Sequence, residues 1–166
     1  MKITMNKFLS IFSLLLVLGA ASAQESEFPD YAVPDTQGNK VDVKSISKEG
    51  KPVVLAFWAT WCGPCIQELN AINEKIDTWR EETGVKFYAV SVDDSKTVNR
   101  VQSMVNGKGW DFDILLDTNN ELKRRLNFAT PPYVVLIKNG NIVYKHVGYQ
   151  PGSEEELYEK IKEYSN

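Results

Sequence analysis

The chain has 166 residues, 43% of them hydrophobic and 25% charged, with 19 basic and 22 acidic side chains and a formal net charge of −3. That length and apolar content suffice for one domain with a real core, and such a domain needs no disulfide staples. The acidic balance argues against nucleic acid or an anionic membrane surface as partner.

Residues 1–23 read as a secretory signal. Lys2 and Lys7 make a basic start, Phe8 to Leu18 is an apolar run, and Ala21-Ser22-Ala23 places small residues where a signal peptidase reads them. Cleavage is expected between Ala23 and Gln24. The competing reading is a retained membrane anchor, but the run falls short of the roughly 20 residues that cross a bilayer. No cysteine follows the small residues, so a lipid anchor has no attachment point. Taking 23 residues from 166 leaves 143, and losing two lysines leaves 17 basic against 22 acidic side chains, a net −5. Residues 24–166 are expected to form one domain, with Gln24 to Phe28 as a loose leader and no repeat or internal linker.

Strands and helices then alternate. "VDV" (41–43) reads as a short strand, and "VVLAFWA" after Lys51-Pro52 as a buried central strand rich in β-branched and aromatic residues. From Cys62 to Thr83 the apolar Ile66, Leu69, Ile72, Ile76 and Trp79 recur at three and four, which predicts one helix ending before Gly84. "KFYAVSVD" reads as a strand, Ser95 to Asn106 as a helix with Val98, Val101, Met104 and Val105 inward, and "FDILLD" as a strand. Asn119 to Leu126 predicts a short helix. Asn139-Gly140 divides "YVVLIKNGNIVYKHVG" into a hairpin, and Glu154 to Tyr164 closes the chain as an amphipathic helix whose acidic start suits the dipole. The order implies an α/β layer protein with a mixed sheet.

Cys62 and Cys65, the only two cysteines, stand two residues apart where the central strand gives way to the long helix. A structural bridge would close a loop too short to stabilise much. A zinc site needs about four ligands, and the one histidine, His146, is far along the chain. A redox pair remains. At the strand-to-helix junction, unpaired N–H groups and the helix dipole favour a Cys62 thiolate, so Cys62 is expected to attack and the deeper Cys65 to resolve the mixed disulfide. Gly63 allows the tight turn and Pro64 suits a first helical turn. Trp58 is expected in the core; Trp61 is either core or an exposed flank of the site. Nothing clusters with His146, which is expected to face solvent, and Asp93-Asp94 is expected to make a turn and helix cap.

"FWATWCGPC", with "VSVDD", "ILLD", "TPPYVVLIKNGNIVYKHVGY" and the exported context, resembles the thioredoxin superfamily, specifically its TlpA/ResA-like exported thiol-disulfide oxidoreductases. The resemblance spans Phe28 to Tyr164. It implies a thioredoxin fold: a central mixed β-sheet flanked by helices, with an N-terminal strand extension and a central helix-strand insertion. It also implies a cis-proline facing the cysteines and offering backbone to a substrate strand. Counting back from Asn139-Gly140 favours Pro132, with Pro131 the alternative. Glu68 matches a glutamate that ResA-like proteins carry beside the site, and its spacing from Cys65 puts both on one helix face. Two positions depart from the pattern. Ala56 stands where thioredoxin has a buried aspartate, which leaves Glu68 as the nearest acid-base candidate, and Asn70 stands where the family often has a helix-kinking proline.

The expected function is thiol-disulfide oxidoreduction in the periplasm, directed toward reduction of exported proteins, with apocytochrome c one precedent among relatives. A membrane thiol relay is the expected electron donor. No cofactor, metal or nucleic acid is expected, and the expected state is a monomer. An exported oxidant, a thiol peroxidase and a binding module with incidental cysteines are the alternatives.

Overall fold

The structure, a computed structural model, describes residues 26–165, so the expected signal segment lies outside the described residues. In chain order the first elements are β1 (Ser26–Glu27), β2 (Val33–Pro34), β3 (Lys40–Val41), α1 (Val43–Ser47) and β4 (Val53–Trp58). Next come α2 (Gly63–Asn73), α3 (Ile76–Thr83), β5 (Lys86–Ser91), α4 (Val101–Lys108) and β6 (Asp113–Leu116). The last are α5 (Glu121–Arg125), β7 (Tyr133–Lys138), β8 (Asn141–Val147) and α6 (Ser153–Glu163).

β4 is buried at every position, as a strand of Val, Leu, Ala, Phe and Trp must be when both faces are covered. It pairs parallel with β5 and antiparallel with β7, at the middle of a six-stranded sheet ordered β1-β8-β7-β4-β5-β6. Fully burying a Leu or Phe side chain stabilises by about 1.5–3 kcal/mol, so this strand anchors the fold and fixes the point from which Cys62 departs. Ala56 lies level with Val134 of β7 and, one strand further, with His146 of β8. α2, α3 and α6 pack on one another, and Trp79 stacks on Tyr158 at 5.2 Å to join α3 to α6. Tyr88 pairs with Leu55 and so points to the opposite face, where it lines a cleft of about 620 Å³ with Ile46 of α1 and Val105 of α4.

The β7–β8 turn has the geometry its sequence predicts. Asn139 and Gly140 are both left-handed, with φ of 52° and 82°, which the favoured two-residue hairpin turn requires at both positions. Ser47 ties this turn to α1: its carbonyl accepts from Asn139 N and its hydroxyl from Gly140 N.

Several expectations are corrected. The 24–28 segment is not loose throughout: Ser26 and Glu27 pair with Ile142 and Asn141, and Phe28 is fully buried. "VDV" does not form one strand, because Asp42 caps α1 by accepting from Ser45 N, so the strand ends at Val41. The helix expected over 62–83 is two helices. At the break Lys75 N–H bonds to Ile72 O, three residues back, in place of the residue four back. The helix expected from Ser95 starts later, as a 3₁₀ turn over Val98–Arg100 that runs into α4, with Val98 and Met104 only half-buried. The α5 and α6 boundaries differ by one or two residues from those expected, because helix ends fray.

Candidate active site

β4 delivers the cysteines. Past Trp58 the chain turns sharply: Val92 N donates to Trp58 O, and Cys62 N to Ala59 O at 3.0 Å. Cys62 is the N-cap of α2, with φ −95° and ψ 94°, and Gly63 and Pro64 lie in the first turn. A proline costs nothing there, since its missing N–H would have had no intrahelical partner. Cys62 and Cys65 are joined as a disulfide, their Cα atoms 5.3 Å apart. Cys62 is 6% exposed and Cys65 not at all, while Trp61 is 59% exposed. Trp61 is therefore an exposed flank and not core; Trp58 is fully buried, edge-on to Trp110 at 5.1 Å.

The cis peptide bond is that between Pro131 and Pro132. Tyr133 pairs with Phe57, so Pro132 lies level with Trp58, at the end of β4 from which the cysteine turn starts. Pro132 O accepts from Gly148 N at 2.8 Å, fastening this loop to the end of β8. A groove of about 590 Å³ runs beside it, lined by residues that include Phe128, Thr130, Tyr133 and Val147. Val147 is 72% exposed.

Glu68, three residues after Cys65 on α2, is 2% exposed. Its Oε1 lies 2.8 Å from Nε2 of His146. His146 is thus not a solvent-facing residue of the last strand, as expected from its isolation in the sequence, but the hydrogen-bonding partner of the buried carboxyl. Burial raises the Glu68 pKa above the usual carboxylate range, and the His146 hydrogen bond opposes the rise without cancelling it. Tyr144 Oη, two residues before His146 on the same face, is 3.3 Å from its Nδ1 and 3.2 Å from Glu156 Oε1 of α6.

Asp93 also departs from expectation. It is completely buried and accepts three hydrogen bonds: from Thr60 N at 2.9 Å, Thr60 Oγ1 at 2.6 Å and Ser91 Oγ at 2.9 Å. The turn is made by Asp94 alone, which accepts from Lys96 N. Asp93 clamps the turn before Cys62 to the end of β5. Asn70 takes on a packing role, accepting from Trp110 Nε1 at 2.9 Å.

The Redoxin family model matches residues 23–161 of this chain. The chain belongs to the redoxin family. This redoxin is 32% identical over 135 residues to the thiol-disulfide oxidoreductase ResA of Bacillus thuringiensis (strain Al Hakam), a match that spans 81% of the chain and 75% of that protein. It superimposes on the solution structure of an uncharacterized thioredoxin-like protein from Porphyromonas gingivalis with a TM-score of 0.71 and 38% identity, covering 83% of this chain and 91% of that one. StoA from Bacillus subtilis, 23% identical with a TM-score of 0.64 over 78% of this chain and 95% of its own, shares the fold. With its Cys-x-x-Cys pair at the head of α2, this redoxin is a thiol-disulfide oxidoreductase of thioredoxin-like fold, as the resemblance implied.

Proposed function

We propose that this oxidoreductase works outside the cytoplasm, after cleavage behind Ala23, and reduces disulfides of exported proteins through a Cys62–Cys65 dithiol/disulfide cycle. The observation that carries the reading is the unequal placement of the two sulfurs. Cys62 sits at a helix N-terminus with some exposure, and Cys65 sits one turn deeper with none. The N-terminus favours a thiolate, so Cys62 attacks the substrate disulfide, forms a mixed disulfide and expels one substrate thiolate. Cys65 then gives up its proton and attacks the Cys62 sulfur. The Cys62–Cys65 bond forms, the bond to substrate breaks, and the second substrate thiolate leaves. The substrate has gained two electrons and the protein has lost them, so a thiol donor must restore the dithiol; a membrane thiol relay is the class of donor proposed.

In this reading Trp61 and the Pro131-Pro132 loop flank the substrate, Gly63 and Pro64 set the turn, and Glu68 accepts the Cys65 proton. Exported apoproteins with oxidised cysteine pairs, apocytochrome c among them, are the substrate class, and the working unit is a monomer. Assays of purified protein for reduction of a protein disulfide and for peroxide turnover decide between this reading and its competitors. Disulfide reduction alone is expected; peroxide turnover would make it a peroxidase, and neither would make it a binding module.

The Glu68 role has its own measurement. Glu68→Gln keeps the shape and removes the ionisable group, so release of substrate from the Cys62 mixed disulfide should slow by about 10- to 100-fold, the low end of general-base effects. A stopped-flow rate equal to the parent's would return Glu68 to a structural role.

A further inference from the structure

Glu68 is an awkward proton acceptor by itself. A carboxyl buried to this degree resists ionisation, and an acceptor that is already protonated can take nothing from Cys65. The groups around it decide whether it works. From β8 come His146 and Tyr144, and beyond that strand Tyr149; from α6 comes Glu154, with Glu156 against Tyr144 and Glu74 near Tyr149. Lys75 lies 3.8 Å from Glu154 and pairs with Glu155. Val134 and Ala56, level with His146 across the sheet, are apolar and offer nothing. His146 is therefore the group on hand that can favour an ionised Glu68 directly.

We propose that His146 is the positioning residue and proton store of Glu68, and that the Tyr144 hydroxyl switches between His146 and Glu156 as the store fills and empties. The inference rests on the reading of Glu68 as acceptor of the Cys65 proton. It follows from counting protons along Glu68, His146, Tyr144 and Glu156, which stand in line at 2.8, 3.3 and 3.2 Å. A tyrosine hydroxyl has one proton to give. When Tyr144 gives it to Glu156, its oxygen accepts from Nδ1–H of His146, and one further proton occupies the Glu68–Nε2 contact: the store is full. When that proton leaves, a carboxylate oxygen cannot face a bare ring nitrogen at hydrogen-bonding distance, since both would be acceptors. The ring proton must then stand on Nε2, Nδ1 becomes an acceptor, and Tyr144 turns its hydroxyl toward it: the store is empty. The two states differ by one proton and a hydroxyl rotation; in the empty state the exposed Glu156 gives up the Tyr144 hydrogen bond and turns to solvent.

Two further observations fit. Burial, with Glu156 beside it, pushes Tyr144 up to about 12, so the hydroxyl stays a donor at working pH and acts by re-aiming its proton. His146 lines both the 590 Å³ groove and a second pocket of about 240 Å³ on its Tyr144 and Glu156 side. The imidazole thus stands between a carboxyl sealed from water and two routes to solvent. In the resolving step the Cys65 proton enters the Glu68–His146 contact as the thiolate attacks, and it leaves to solvent from the imidazole side before the next turnover.

The test is single-turnover reduction of a disulfide peptide by the reduced full chain, followed from pH 5 to 9 for the parent, His146→Gln, Tyr144→Phe, Glu68→Gln and the Glu68→Gln/His146→Gln pair. His146→Gln can still donate to Glu68 but cannot store a proton. It should slow the resolving step by about 10-fold near neutrality and lower the midpoint of the pH–rate profile by about one unit, because Glu68 alone holds the proton more weakly than Glu68 and His146 sharing it. Tyr144→Phe should shift the midpoint in the same direction by less. The double variant should be no slower than Glu68→Gln alone, because His146 acts through Glu68. A parent-like midpoint in His146→Gln, or losses that add in the double variant, would overturn the relay. If His146→Gln does not fold, a parent-like midpoint in Tyr144→Phe overturns it instead. A slow Glu68→Gln with a parent-like His146→Gln removes the relay and keeps the acceptor role, whereas a parent-like Glu68→Gln removes both.

Discussion

Cys62→Ala is expected to bring disulfide exchange down to the uncatalysed rate, a loss on the order of 10⁴-fold or more, the scale on which removing a nucleophile acts. Cys65→Ala is expected to lose turnover as well, but by a different route: it should accumulate mixed disulfides with its substrates. The reason is positional. Cys62 caps α2 where the helix dipole and free N–H groups stabilise a thiolate, and part of it reaches the surface. Cys65 is fully buried, and an apolar setting raises a thiol's pKa. With Cys62 gone, the remaining sulfur is out of a substrate's reach; with Cys65 gone, Cys62 still attacks and nothing resolves the product. Non-reducing electrophoresis and mass spectrometry after incubation with a disulfide-bonded protein measure the adducts. Equal trapping by both variants would reverse the assignment of roles.

Asp93→Ala is expected to destabilise the oxidised protein by about 3 kcal/mol or more. Its carboxyl accepts from Thr60 N, Thr60 Oγ1 and Ser91 Oγ. Alanine leaves the donors of a buried site without an acceptor, and each such group costs about 1–3 kcal/mol. The two hydroxyls can turn elsewhere; the Thr60 backbone N–H cannot. Asp93→Asn keeps one acceptor oxygen and should lose roughly half as much on the same accounting. Urea unfolding with the disulfide intact reads both values, as a lower midpoint at unchanged slope. An Asp93→Ala midpoint equal to the parent's would mean that the clamp carries no net stability.

The core strands were legible because their signals are local. "VVLAFW" and "YVVLIK" are runs too apolar to lie anywhere but the middle of a sheet, and Asn139-Gly140 announces its own turn through two left-handed residues. The burial of Glu68 with Cys65 on α2 was legible for a similar reason: three residues on a helix return to the same side. The break between α2 and α3 was not legible, because the apolar period runs on through Ile76 and Trp79 while the backbone pauses at Glu74 and Lys75. Asp93 was misread because a carboxylate after a strand makes a turn in most settings, and only the return of Thr60 to the end of β5 makes it a buried acceptor.

His146 marks the boundary between the two kinds of information. The cysteine spacing, the strand-to-helix junction and the hairpin were all fixed by neighbours in the chain, and they suffice to specify a redox pair on an α/β scaffold. A regular hairpin closed at Asn139-Gly140 would pair His146 with Tyr133, on the face of the sheet away from Glu68. In the fold the register slips between Leu136 and Ile137, Tyr144 stands opposite Leu136, and His146 falls opposite Val134. That single extra residue on β8 turns every later side chain of the strand to the other face, so a histidine that one register would leave far from the site becomes the partner of its buried carboxyl. No local pattern encodes such a slip, because its stability comes from how β8 packs between β7, β1 and the α6 helix, contacts that exist only once the whole sheet has assembled.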